Sequence, residues 1–159
     1  MNPTQTITCT VNGTNKELRV DIRQSLLEVL REQLGLLSVK QGCAVGECGA
    51  CTVLIDNEPI DACIYLAIWA DGRSVRTVEG ESRNNQLSKV QQAFVDEGAV
   101  QCGICTPGFV MAATAFVEKN QGGTPQRDEI RRELAGNLCR CTGYDTIITA
   151  VEKCMDKES

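Results

Sequence analysis

The stretch QGCAVGECGAC (41–51) sets three cysteines at C-x4-C-x2-C among three glycines, a density of thiols that neither a hydrophobic core nor an ordinary loop requires. The whole chain holds ten cysteines in 159 residues and no histidine. Without an imidazole, Cys/His zinc fingers, Rieske-type ligation and every triad built on a histidine base are excluded. The start of the chain, MNPTQTITCTV, carries neither a charged and apolar export segment nor a twin-arginine signal, so a cytoplasmic location is expected. In a reducing compartment thiols stay reduced, and ten of them read better as metal ligands than as a disulfide framework.

The rest of the composition narrows the field. A net charge of −5, with no run of Lys or Arg longer than two, removes the electrostatic basis for binding nucleic acid or an anionic membrane. The most apolar segment, Phe109 to Val117, is far shorter than the roughly 20 residues that span a bilayer, and Thr114 interrupts it. Hydrophobic residues make up 42% of the chain, enough for the core of one ordinary domain or of two small ones.

Periodicity divides the chain into an α+β half and a helical half. Ile7, Cys9 and Val11 alternate with polar neighbours, Asn12-Gly13 suggests a turn, and Leu18, Val20 and Ile22 alternate again, as in a β-hairpin. Ser25 and Glu28 form a capping-box signature ahead of Leu26, Leu27, Leu30 and Leu34, with Gly35 as the stop of a helix. Short strands are expected at Thr52 to Asp56 and Ser74 to Val78, separated by a turn at Asp56-Asn57 and an apolar segment around Ile64 to Trp69. EGESRNNQ (79–86) reads as an exposed linker. Four helices should follow: one with Leu87, Val90 and Phe94 that ends at Gly98; an apolar one capped by Thr106-Pro107; one begun by Thr124-Pro125 that carries Ile130 and Leu134; and one opened by Thr142. Helices of this number and length make a small bundle.

The thiols can now be weighed against that frame. Cys43, Cys48 and Cys51 have the plant-type spacing for a [2Fe–2S] cluster, and Gly42, Gly46 and Gly49 would let backbone wrap closely around its sulfurs. The fourth ligand must come from elsewhere. Cys63 is preferred to Cys9, which alternates with Ile7 and Val11 as a small apolar residue of a buried strand face; spacing alone does not decide between them. Cys154 reads as helix core. A second group, Cys102 and Cys105 with Cys139 and Cys141, pairs C-x2-C with C-x-C at helix ends; the positive end of a helix at Cys105 favours a thiolate and an anionic cluster. By itself this group leaves iron–sulfur, zinc and a thioredoxin-like C-x2-C redox pair open.

Taken together, GCAVGECGACTV (42–53), Cys63, QCGICTPG (101–108) and GNLCRCTGY (136–144) resemble, in order and over nearly the whole chain, the iron–sulfur subunit of xanthine dehydrogenase and related molybdenum hydroxylases. The resemblance implies a ferredoxin-like β-grasp domain over residues 1–80 with a [2Fe–2S] cluster on Cys43, Cys48, Cys51 and Cys63. It implies a four-helix bundle over residues 84–159 with another on Cys102, Cys105, Cys139 and Cys141. It further implies that electrons pass from a molybdopterin centre on one partner subunit, with Gln101 and Cys141 beside the pterin, to FAD on another, and then to NAD+. Arg140 reads as a surface cation. The chain has no G-x-G-x-x-G or P-loop motif, in keeping with nucleotide and pterin bound by partners. Purine is the substrate class the resemblance suggests for the complex. A free-standing two-cluster ferredoxin and a zinc-stapled interaction module are the alternatives.

Overall fold

The computed structural model describes residues 3–155; the first two and last four residues of the expected domains lie outside that range. Alternation yields β1 (Thr4–Val11), and Asn12-Gly13, both in the left-handed region, turn the chain into β2 (Thr14–Asp21). The two strands pair antiparallel with Ile7 opposite Leu18, which puts Ile7, Cys9, Val11, Leu18 and Val20 on one buried face. The expected capping box is present: the Glu28 N–H donates to Ser25 Oγ (3.2 Å) and the Ser25 N–H to Glu28 Oε2 (2.7 Å). Helix α1 (Leu26–Glu28) then widens into a π-helical turn over Val29–Gln33, along which Leu26, Leu27, Val29 and Leu30 are all buried.

Three short strands complete a mixed sheet in the order β2-β1-β5-β3-β4. β3 (Thr52–Ile55) and β5 (Ser74–Arg76) are shorter than the sequence suggests, and β4 (Glu58–Asp61) has no counterpart in that reading. Pro59 within β4 argues against a strand because its ring removes a ladder donor; β4 accommodates it by lying at the sheet edge, paired with β3 alone. β5 runs parallel to β1, with Val11 beside Val75, and antiparallel to β3.

The expected exposed linker is tied down at its start. A short 3-10 turn covers Val78–Gly80, Glu79 accepts hydrogen bonds from Ser38 and Thr77, and Glu81 pairs with Arg76 at 2.8 Å. Beyond it come α2 (Lys89–Asp96), α3 (Thr106–Lys119), α4 (Arg127–Glu133) and α5 (Asp145–Met155). Their starts differ from the expected ones. Ser88 and Gln91 box the start of α2; α3 is preceded by Cys105, with Thr106 already helical; and α4 begins two residues past Pro125, with Gln126 and Glu129 as its box. At α2 and α4 the flanking side chains that reach the first-turn N–H groups form the box, whereas Cys105 makes no side-chain cap bond at α3.

Val90, Phe94, Phe109, Ile130, Leu134, Ile147, Ile148 and Val151 from these helices share a second core, separate from that of the sheet. α3 is buried from Gly108 through Phe116, on every side. A helix apolar all round must be covered all round, and α3 is: Met111 and Ala115 pack on Leu54 of β3, while its other faces meet the remaining helices. Arg76 reinforces this junction, reaching from β5 to Glu118 of α3 at 2.8 Å. Among the described residues no helix is long and apolar enough to cross a membrane.

Candidate metal centres

The first set of thiols is built by the loop between the π-helical turn and β3. Ala44, Gly46 and Gly49 adopt positive φ there (59°, 74° and 66°), so the chain coils around itself and turns N–H groups inward. Val45 and Glu47 donate their N–H groups to Cys43 Sγ at 3.5 and 3.3 Å. Those two donors bring the Cys43 thiol down to about 7. Gly42 serves differently from the expectation: it does not take positive φ, yet a Cβ there would lie 2.7 Å from Cys48 Sγ. Cys51 is buried at the head of β3, and burial pushes its thiol up to about 12. Cys63 follows β4 and meets Cys51, so the strand that the sequence reading lacks is what delivers it. Cys9 lies in the sheet core, 3% exposed, where burial raises its thiol.

The second set sits where the ends of two helix connections meet. Cys102 and Cys105 precede α3, and Cys139 and Cys141 lie between α4 and α5. The C-x-C segment is irregular, as two sulfurs on one side demand: Gly143 and Tyr144 both take φ of 68°. Thr142 donates its hydroxyl (3.1 Å) and its N–H (3.4 Å) to Cys139 Sγ. Burial pushes Cys139 up, but these donors outweigh it and bring the thiol down to about 7. Cys105 goes the other way, pushed up to about 12 by burial and by the neighbouring Cys139. Cys141 is raised chiefly by Cys102. Gln101 and Arg140 are exposed beside this set. Cys154 is 5% exposed in the helical core, its thiol directed at the Lys89 carbonyl (3.7 Å) and pushed up to about 11 by burial.

Within each set the thiols act on one another: Cys48 on Cys43 and Cys63 on Cys51 in the first, and Cys102, Cys105, Cys139 and Cys141 among themselves in the second. A structural zinc needs four ligands around one ion, whereas a [2Fe–2S] cluster divides four thiolates between two irons. Inward N–H donors and a glycine wrap around the first set, and the Thr142 donors at the second, suit an anionic cluster whose sulfurs need hydrogen bonds.

The two sets are joined by contacts that sequence reasoning did not find. The Leu138 N–H donates to the Cys48 carbonyl at 2.9 Å, linking the residue before Cys139 to a cysteine of the first set. The Asn137 amide donates to the Gly49 carbonyl (2.8 Å) and to Thr52 Oγ1 (3.0 Å). Asn137 lies in the GNLCRC motif, but nothing in its spacing says that it reaches 88 residues back along the chain.

Fold and thiols together define a small protein with two [2Fe–2S]-binding domains. Residues 9–67 match the 2Fe-2S iron-sulfur cluster binding domain, and residues 77–152 the [2Fe-2S] binding domain. The chain is 57% identical to the xanthine dehydrogenase iron-sulfur-binding subunit of Escherichia coli O157:H7, covering 97% of this chain and 98% of the relative. It is 43% identical to the nicotinate dehydrogenase small FeS subunit of Eubacterium barkeri, covering 96% of each. The crystal structure of quinoline 2-oxidoreductase from Pseudomonas putida 86 superposes with a TM-score of 0.91 at 42% identity, over 96% of this chain and 94% of that one. The chain belongs to the iron–sulfur subunit family of the molybdenum hydroxylases, and its work is electron transfer within an oxidoreductase.

Proposed function

We propose that this chain is the electron-carrying subunit of a xanthine dehydrogenase-type complex, with one [2Fe–2S] cluster on Cys43, Cys48, Cys51 and Cys63 and another on Cys102, Cys105, Cys139 and Cys141. The observation that carries the reading is the direct contact between the loops that bear the two thiol sets, the Leu138 N–H donating to the Cys48 carbonyl at 2.9 Å. A bound cluster supplies the storage of one electron at a time. Val45, Glu47 and Thr142 hold Cys43 and Cys139 with N–H and hydroxyl donors, which favour thiolate over thiol. We read residues 1–80 as the β-grasp domain and residues 84–159 as a four-helix bundle domain.

Val45 (64% exposed) and Ile64 (58% exposed) flank the first set, and Val100 and Ile104 flank the second. Apolar side chains kept exposed beside both electron ports suit stable docking better than a freely diffusing carrier. By family likeness the second set, with Gln101 and Cys141, faces a molybdopterin-binding catalytic subunit, and the first faces a FAD-binding subunit that passes electrons to NAD+. Purine oxidation in the cytoplasm is the activity this assembly would serve.

The native protein should co-purify with a flavin-binding and a molybdopterin-binding chain, contain about four irons and four sulfides per copy, and show two distinct electron paramagnetic resonance signals after reduction. Zinc in place of iron would overturn the cluster reading. A native monomer with both clusters intact would overturn the subunit reading in favour of a free ferredoxin.

A further inference from the structure

We propose that Asn137 is a positioning residue that fixes the contact, and hence the electronic coupling, between the two cluster sites. This rests on the reading that both thiol sets hold [2Fe–2S] clusters. Asn137 is 5% exposed, and its amide sits where the two halves of the chain approach at backbone distance. Its nitrogen donates to the Gly49 carbonyl and to Thr52 Oγ1, while Thr52 Oγ1 itself donates to the same carbonyl at 2.7 Å. Gly49 stands between Cys48 and Cys51, and Asn137 is two residues from Cys139, so the amide grips one ligand loop from within the other.

The surroundings leave that grip little slack. A Cβ on Gly49 would lie 2.4 Å from Asn137 Nδ2 and 2.6 Å from the Gly136 carbonyl oxygen; a Cβ on Gly108 would lie 2.1 Å from the Gly49 carbonyl oxygen. Beside the amide, the Leu138 N–H reaches the Cys48 carbonyl at 2.9 Å. That bond is the short route from one thiol set to the other, and nothing covalent spans it. Its length depends on the two loops staying in register, and the amide's two bonds are what keep them there. An asparagine is suited to this place because both partners are acceptors toward it; an aspartate of the same size would present a carboxylate to them and donate nothing. A buried amide that has its hydrogen bonds satisfied is costly to replace, which makes the register specific as well as tight.

The test uses the cluster-loaded full chain and two variants, Asn137→Ala and Asn137→Asp. Iron and sulfide are counted first, since a wild-type chain without two clusters would sink the proposed function and this inference together. With clusters present, the fully reduced wild type should show magnetic interaction between its two paramagnetic centres. Both variants should retain the clusters, and Asn137→Ala also their individual g-values and midpoint potentials, yet both should show a weaker interaction splitting and equilibrate electrons between the clusters severalfold more slowly. Asn137→Asp keeps the side-chain volume, so it carries the test if the alanine variant repacks. Unchanged splitting and rate in cluster-replete variants would overturn the inference. So would the loss of a cluster or a shift of its potential in both variants, because Asn137 would then serve folding alone.

Discussion

Gly108→Ala inverts an ordinary helix rule. Gly108 lies in the first turns of α3, at non-positive φ, where alanine should stabilise the helix by about 1 kcal/mol. The structure opposes this. The added methyl would lie 2.1 Å from the Gly49 carbonyl oxygen and 3.2 Å from Ala50 Cα, and both are backbone atoms of the buried loop between Cys48 and Cys51. Either α3 lifts from β3 or the loop shifts. Forcing a methyl into a packed site costs about 3 kcal/mol at the upper end of the common range, so the net effect is a destabilisation of about 2 kcal/mol. For a protein of this size that lowers the thermal midpoint by about 4–8 °C. The assay is thermal unfolding followed by visible absorbance of the clusters and by circular dichroism, on preparations of equal iron content. Gly136→Ala is the control: a Cβ there meets nothing within 4 Å, and the midpoint should hardly move. A Gly108→Ala protein as stable as wild type, or more so, would refute the argument that the two halves touch at backbone distance here.

Two other substitutions test the assignment of thiols and the junction. Cys63→Ser should abolish the signal of the first cluster alone, whereas Cys9→Ser should leave both signals and cost about 1–2 kcal/mol for a hydroxyl introduced into the sheet core; loss of a cluster from Cys9→Ser would reverse the choice of fourth ligand. Arg76→Met strands the Glu81 carboxylate, whose side chain is 7% exposed, and cuts the link to Glu118. Unfolding free energy should fall by about 2 kcal/mol, less than for a fully buried pair because Arg76 and Glu118 reach solvent, and an unchanged melting curve would remove Arg76 from the account of how the halves are held.

Local chemistry in the chain was enough to specify the hairpin at Asn12-Gly13, the Ser25–Glu28 box, the apolar character of α3 and the two thiol groups. These depend on spacing, on left-handed turn residues and on period, all of which act within a few residues. Cys63 was preferred to Cys9 from the sequence, but where it sits took more. Its delivery depends on β4, a strand that Pro59 disguises and that exists because β3 offers it an edge to pair with. Glu79 and Glu81 look like solvated linker residues until Ser38, Thr77, Arg76 and their elements are folded around them. The Cys105 thiol is placed at a helix start by sequence, yet burial, and after it Cys139 from a segment more than thirty residues away, raise it. The same holds most strongly for Asn137, whose partners Gly49 and Thr52 lie 88 and 85 residues distant. The sequence by itself determined how the thiols are grouped and which turns present them, because those are properties of short segments. Only the tertiary structure decided how the two sites meet, because a hydrogen bond across a domain junction is set by the packing of α3 on β3 and leaves no period, cap or spacing in the chain.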